Sequence, residues 1–368
     1  MLNIKNEENV FVSEIRKAKR EGKKIYILGA ALGAARIAGG LSYRGLEFDG
    51  FVVDSEYLHI GGGGMLLDKD ISCLDEVIDS DCIIIRSIAN YPRLESLKET
   101  VYLVDEDVLS LSMVASAPFD YEFVKGHIEE FNSLYDALQD EKSRNVLEAY
   151  LNQKITGRFK EMEAVWDKVQ YFDGQIYDIS KIKCIVDCGA FIGDSFLSFC
   201  DEYEKAVGTK FMGKAYLLDP DEYNQQQIRK NCLSLEADIK CLKIGAWNET
   251  DVLAFQLDEN QRTAGKITDT GNVRINVDAI DNIVKDDKVD FIKMDIEGAE
   301  LNALKGAAET IEKEHPILAI CVYHKREDLL EIPEYIHGLY AGYKFYIRAY
   351  GGPYSIELVL FAVPDQED

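Results

Sequence analysis

A chain of 368 residues that is 47% hydrophobic and 29% charged is long enough for two buried cores and too apolar to be disordered. Its 66 acidic residues outnumber 41 basic ones, and the net charge of −25 repels phosphate backbones and anionic lipid, so neither nucleic acid nor a membrane is an expected partner. The start, MLNIKNEENV, has no apolar signal core and no apolar run reaches about eighteen residues, which predicts a cytoplasmic protein.

In chain order, RKAKREGKK (16–24) reads as the exposed face of an N-terminal helix. KKIYIL (23–28) is a strand pattern that breaks at small residues and restarts as a helix through about Arg44. EFDGFVVD (47–54) is a second strand, and LHIGGGGM (58–65) a loop, because four glycines hold no regular element cheaply. CIIIR (82–86) and TVYLV (100–104) complete a small parallel α/β unit over residues 1–118. From 119 to 180 the pattern turns helical: Phe131, Leu134, Tyr135 and Leu138 share a face, and Leu147, Tyr150 and Leu151 continue it, as expected of a linker.

A second α/β unit fills 181–368. KCIVDC is its first strand, followed by the loop GAFIGD and a helix; KAYLLDP (214–220) and IKCLKIGAW (239–247) are the next strands. VLAFQL and NVRINV within 248–276 alternate like a hairpin. VDFIKMD (289–295) is the fourth strand, GAELNALKGAAETI one helix with Leu301, Leu304, Ala308 and Ile311 inward, and PILAICVY (316–323) the fifth strand. After a last helix, YKFYIRAY and SIELVLFAV flank GGPY as an antiparallel hairpin. The eight cysteines form no CxxC pair and read as small buried hydrophobes.

Two glycine-rich turns compete for a nucleotide. ILGAALGAAR (27–36) offers Gly29, Ala31 and Ala34 at the three fingerprint positions, and Asp54 about twenty residues past Gly33 suits a ribose. Ala31, however, puts a methyl where a pyrophosphate approaches the backbone. IVDCGAFIGDSF (185–196) instead places Asp187 at a strand tip ahead of Gly189 and Gly193, and Asp219 ends the next strand. An acid there suits an ammonium group, and a carboxylate one strand on accepts two ribose hydroxyls, a pattern that favours an adenosyl cofactor without a pyrophosphate.

VDCGAFIGDS, YLLDPDEYN, KIGAWNET and VDFIKMDIEGAELNALKGA resemble the successive motifs of the FkbM-family methyltransferases, over about residues 183–363. The resemblance implies a class I, Rossmann-like, seven-stranded methyltransferase domain that uses S-adenosylmethionine, here preceded by a smaller Rossmann-like α/β domain and a helical linker. It implies that Asp187, Gly189, Ala190, Gly193 and Asp194 form the cofactor loop, that Asp219 takes the ribose, and that Ala246 and Trp247 border the adenine. Core packing explains Trp247 equally well. Ligands in open α/β sheets sit at the carboxyl ends of strands, which draws Asp295, Glu297 and His324 into the catalytic set. His324 is the candidate general base, and the dipole of its helix accounts for Glu300. Arg348 and Glu357 resemble positions that face the site, although a cross-strand ion pair explains them too. Asp295 and Glu297 suit magnesium, but with no third ligand evident in the sequence no metal is expected. The expected reaction is O-methylation of a hydroxyl on a sugar, glycan or secondary metabolite. The competing readings are an NAD(P)-dependent oxidoreductase using the first turn, and a non-catalytic nucleotide-binding protein.

Overall fold

The computed structural model describes residues 1–58, 65–78, 80–87, 93, 101–102, 118–172, 174–257, 265–268, 271–285, 287–352 and 355–365. Residues 1–132, 147–164 and 352–355 form one compact unit, and residues 133–146, 165–351 and 356–368 a second. The segment 119–180, expected as a linker, is therefore shared between the units.

In the first unit, helix α1 (Val10–Arg20) starts where the Asn9 side chain accepts from the Phe11 and Val12 amides, and it buries Phe11, Val12, Ile15 and Ala18. Arg16 and Lys17 point to solvent, as the basic run predicts. The chain continues through β1 (Lys24–Leu28), α2 (Leu32–Tyr43), β2 (Gly50–Val53), β3 (Met65–Leu66), β4 (Lys69–Cys73), α3 (Leu74–Val77), β5 (Cys82–Arg86) and β6 (Val101–Tyr102). The strand order is β3-β4-β2-β1-β5-β6, parallel throughout except for β3 against β4. The strand expected over 100–104 is described only at 101–102, and most of the glycine loop at 58–65 lies outside the described residues. At the first glycine turn Gly29 has φ +111°, and Asp54 pairs with Arg93 at 2.6 Å. Helices α4 (Tyr121–Gly126), α5 (Ile128–Ala137) and α6 (Glu141–Thr156) follow.

The second unit adds β7 (Cys184–Cys188), α7 (Asp194–Val207), β8 (Lys214–Leu218), α8 (Glu222–Asn231), β9 (Asp238–Leu242), β10 (Gly245–Ala246), β11 (Asp251–Gln256), β12 (Lys266–Ile267) and β13 (Val273–Asp278). It ends with α9 (Ile280–Val284), β14 (Phe291–Met294), α10 (Glu300–Lys305), α11 (Ala308–Glu314), β15 (Ile317–Cys321), α12 (Asp328–Leu339), β16 (Tyr343–Gly352) and β17 (Ser355–Pro364). The main sheet has seven strands in the order β16-β17-β15-β14-β7-β8-β9, parallel from β15 to β9, with β17 antiparallel to β15. β7 and β14 are buried along their whole length, which is why both read as apolar runs. A second sheet, β10-β13-β11-β12, is the hairpin expected within 248–276.

Three sequence expectations need correction. The third strand is not continuous: the Ile244 amide donates to Leu242 O at 2.9 Å in a tight turn, and Gly245 and Ala246 leave the main sheet to pair with β13. GAELNALKGAAETI forms two helices, because at Gly306 the chain passes so near Trp247 O that a Cβ would lie 1.9 Å from it. Ala303, Leu304, Ala307 and Ile311 are the buried apolar positions, while Leu301 and Ala308 are half-buried. Arg348 and Glu357 do not pair with each other: Arg348 is held by Asp140 at 2.6 Å and by Ser143, and Glu357 accepts from Gln170. All eight cysteines are free thiols, and seven are buried. Among the described residues, no helix is long and apolar enough to cross a membrane.

At Gly189 (φ +76°) a Cβ would lie 2.0 Å from Asp295 O, so the turn after β7 and the end of β14 touch backbone to backbone. We expect Gly189→Ala to lower the unfolding free energy by about 2 kcal/mol or more in urea titrations, and an unchanged midpoint contradicts this contact. Asp140 is held down to about 2 against its burial, through bonds from Arg348 and Ser143. Its stabilisation is therefore complete above the unfolded carboxyl range and is lost as pH falls from about 4 towards 2. Because Asp140 is partly exposed, we expect Asp140→Asn to cost about 1 kcal/mol at pH 7 and almost nothing near pH 2.

Candidate functional site

A crevice opens at the carboxyl ends of β7, β8 and β14 and is lined on part of its wall by the small sheet. Gly189, Phe191 and Asp219 line it together with an apolar wall of Ala246, Phe255 and Ile275, and with Asp295, Ile296 and Glu297. Brought together here are Gly189, Asp219, Ala246, Asp295 and Glu297 from the expected set. Asp187, Ala190, Gly193, Asp194, Trp247 and His324 do not line it.

Each of those six has a definite place. Asp187 is 1% exposed and lies 3.0 Å from Lys293 Nζ, so the ammonium it faces is one of the protein's own. Burial pushes its carboxyl up and Lys293 opposes that shift. Ala190 is fully buried in the main core, and Gly193 (φ +85°) caps the start of α7, whose first residue, Asp194, is exposed. Trp247 packs beside Phe255, Ile275 and Val277. His324 is buried beside Asp295 and Glu297.

The turn after β7 is held to β8: the amides of Gly189 and Ala190 both donate to Leu218 O at 3.0 Å. Asp219 binds the same turn, its Oδ2 accepting from the Phe191 amide at 3.1 Å and its Oδ1 from the Asp221 amide at 2.8 Å. The Asn224 amide group lies 3.2 Å from both oxygens. Burial drives the Asp219 carboxyl up to about 7, despite the Asp221 amide and Asn224. Buried Gln225 bridges the ends of two strands by donating to Asp219 O at 3.1 Å and Leu242 O at 2.7 Å.

Asp295 accepts from Tyr323 Oη at 3.1 Å and Tyr171 Oη at 3.4 Å. Its burial would raise its carboxyl, but Lys293 and His324 hold it below the usual range. His324 Nδ1 lies 2.9 Å from Glu300 Oε1, and Nε2 lies 3.5 Å from Asp295 Oδ1 and 3.7 Å from Glu297 Oε2. Burial alone would depress the imidazole; Glu300, Asp295 and Glu297 outweigh it and raise it to about 10. Glu300, explained from sequence by a helix dipole, is fully buried, and its Oε1 also accepts from the Ile296 amide at 2.9 Å. Sequence reasoning missed Lys293, Tyr171, Tyr323, Asn224 and Gln225. Lys293 alone left a signal, as a lone charge in the apolar strand FIKM.

The residues present fit an S-adenosyl group. The Gly189 turn leaves no room for a side chain, the wall beside Ala246 is apolar, and Asp295 and Glu297 offer negative charge. Asp219 has its acceptor sites met by the protein, so a ribose there displaces the Asn224 amide.

The family model of the methyltransferase FkbM domain matches residues 187–345. A crystal structure of methyltransferase FkbM from Methylobacillus flagellatus is similar at 24% identity, with 98% of this chain and 94% of that one covered and a TM-score of 0.67, which shows the fold. An O-methyltransferase from Bacillus cereus in complex with S-adenosylhomocysteine matches far more loosely, at 12% identity over 66% of this chain and 96% of that one, with a TM-score of 0.32. No curated protein matches the chain. Over residues 187–345 the chain thus matches the methyltransferase FkbM domain, a family of S-adenosylmethionine-dependent enzymes.

Proposed function

We propose that the protein is an O-methyltransferase whose acceptor is a hydroxyl on a sugar, glycan or secondary metabolite. The observation that carries this reading is the crevice itself, lined by a ribose-competent acid, Asp219, and by two further acids, Asp295 and Glu297. In this reading the first unit is a Rossmann-like domain, since its parallel strands run in the order β4-β2-β1-β5-β6, and its ligand is left open.

S-adenosylmethionine, when bound, supplies an activated methyl on a sulfonium. The protein's task is then alignment, because in-line displacement needs the acceptor oxygen behind that methyl. Asp219 orients the ribose; Ala246 and the apolar wall take the adenine and exclude water. Asp295 and Glu297 stand at the crevice surface and meet the cationic end of the cofactor and the acceptor hydroxyl. His324 touches neither from its buried place, where its ring lies between Glu300 and the two crevice acids. We therefore assign His324 to positioning Asp295 and Glu297.

Two measurements check this. S-adenosylhomocysteine at a hundredfold excess over Kd should raise the melting temperature of the wild type by about 5 °C, and that of Asp219→Ala far less, with no shift from NADH. A shift with NADH and none with S-adenosylhomocysteine overturns the reading. Because Asp219 titrates at about 7 and the ionised form accepts both hydroxyls, binding below that pH must first remove a proton. Calorimetric affinity for S-adenosylhomocysteine should tighten about tenfold from pH 6 to pH 8 and be flat in Asp219→Asn. A flat wild-type profile contradicts the role of Asp219.

A further inference from the structure

Asn224 is 2% exposed, lines the crevice and belongs to the first turn of α8. Its main-chain amide donates to Asp221 Oδ1 at 2.9 Å, so the helix cap pins the backbone. The side chain, by contrast, is held at one end only. Nδ2 lies 3.2 Å from each Asp219 oxygen, while the buried Oδ1 has no hydrogen-bond partner among the described residues. An amide kept purely for structure usually has both ends met, since an unmet buried acceptor is costly. A primary amide also carries two N–H donors, and against the two oxygens of one carboxylate they match the pattern of two adjacent ribose hydroxyls. We propose that Asn224 is a positioning residue that stands in for the ribose in the empty crevice, holding the Asp219 carboxylate ready until the cofactor displaces it. This inference rests on the methyltransferase reading, in which Asp219 takes the ribose.

The other donors to Asp219 are the main-chain amides of Phe191 and Asp221, which cannot turn aside, so Asn224 is the donor a ligand displaces. Burial and the Asp221 carboxylate raise the Asp219 carboxyl, while the Asp221 amide, Asn224 and the Phe191 amide lower it. The bond from Asn224 therefore keeps more of Asp219 ionised in the empty crevice, yet it has to break when the ribose arrives. Linkage makes these two effects equal. Removing the carboxamide raises the pH at which Asp219 titrates and tightens binding to the ionised crevice by the same factor. Well below that pH the two effects cancel.

Calorimetry with S-adenosylhomocysteine on the full-length wild type and Asn224→Ala tests this, with melting curves to confirm folding. Relative to wild type, Asn224→Ala should bind about fivefold tighter at pH 9 and equally at pH 6. Carbon NMR of the Asp219 carboxyl in the ligand-free proteins reads the same factor without a cofactor. Its titration should move up in Asn224→Ala by about 0.7 on the pH scale. Asn224→Ser, which also removes the carboxamide, should behave alike and keeps the test open if the first variant does not fold. Equal affinities at pH 9, as a purely structural residue gives, overturn the proposal. Weaker binding at both pH values overturns it too, since Asn224 would then be a direct cofactor ligand. Absence of wild-type binding at either pH overturns the methyltransferase reading and the inference together, whereas an unmoved carbon titration overturns the inference alone.

Discussion

The second unit depends on one buried ion pair. Lys293 and Asp187 are 2% and 1% exposed, lie directly opposite one another on β14 and β7, and meet at 3.0 Å. A lone charge so deep in a parallel sheet is costly, and the pair tolerates its position because each group has the other. Lys293 also donates to Gly189 O at 2.9 Å and stands 5.7 Å from the centre of the Tyr171 ring. A slip of one residue between β7 and β14 would turn both charges to opposite faces and leave them unpaired, so the pair fixes the register. From that register follow the apposition of Gly189 with Asp295 and the width of the crevice.

The same lysine shapes the chemistry. Lys293 and Asp295 are two apart along the chain and share a face, so the ammonium that neutralises Asp187 also helps keep Asp295 ionised. His324 contributes from the other side, and the hydroxyls of Tyr171 and Tyr323 complete the surroundings of Asp295. The crevice thus carries a persistent negative charge at Asp295 and, in Asp219, a carboxyl poised near neutrality. These charges suit a cofactor that is cationic at its methionine end and carries a neutral ribose and adenine.

Much of this was legible in the sequence because periodicity and strand tips are local signals. AYLLD and FIKMD each end on an acid, and Asp219 and Asp295 mark the carboxyl edge of the sheet in the order the chain supplies them. What was hidden depended on contacts distant along the chain. Asp187 looked like a ligand for a cofactor's ammonium because nothing local says that Lys293, more than a hundred residues on, pairs with it. Glu300 looked like a helix-dipole residue because its partner, His324, comes from another strand. His324 looked like a free base because its three acidic neighbours could not be counted from VYHKRED. Trp247 was drawn towards the adenine by position alone, whereas the bend at Ile244 turns its segment into the small sheet. The two-helix break at Gly306 was likewise invisible, since it is set by the backbone of Trp247.

The central claim is that the working cofactor sits at the second glycine turn and not at the first. A crystal structure of the protein with S-adenosylhomocysteine tests it most directly. The account predicts the adenosine in the crevice between Gly189 and Ala246, with the ribose hydroxyls on Asp219 and the Asn224 amide displaced. Electron density for the ligand at the Gly29 turn beside Asp54, with the crevice at Asp219 empty, would contradict it.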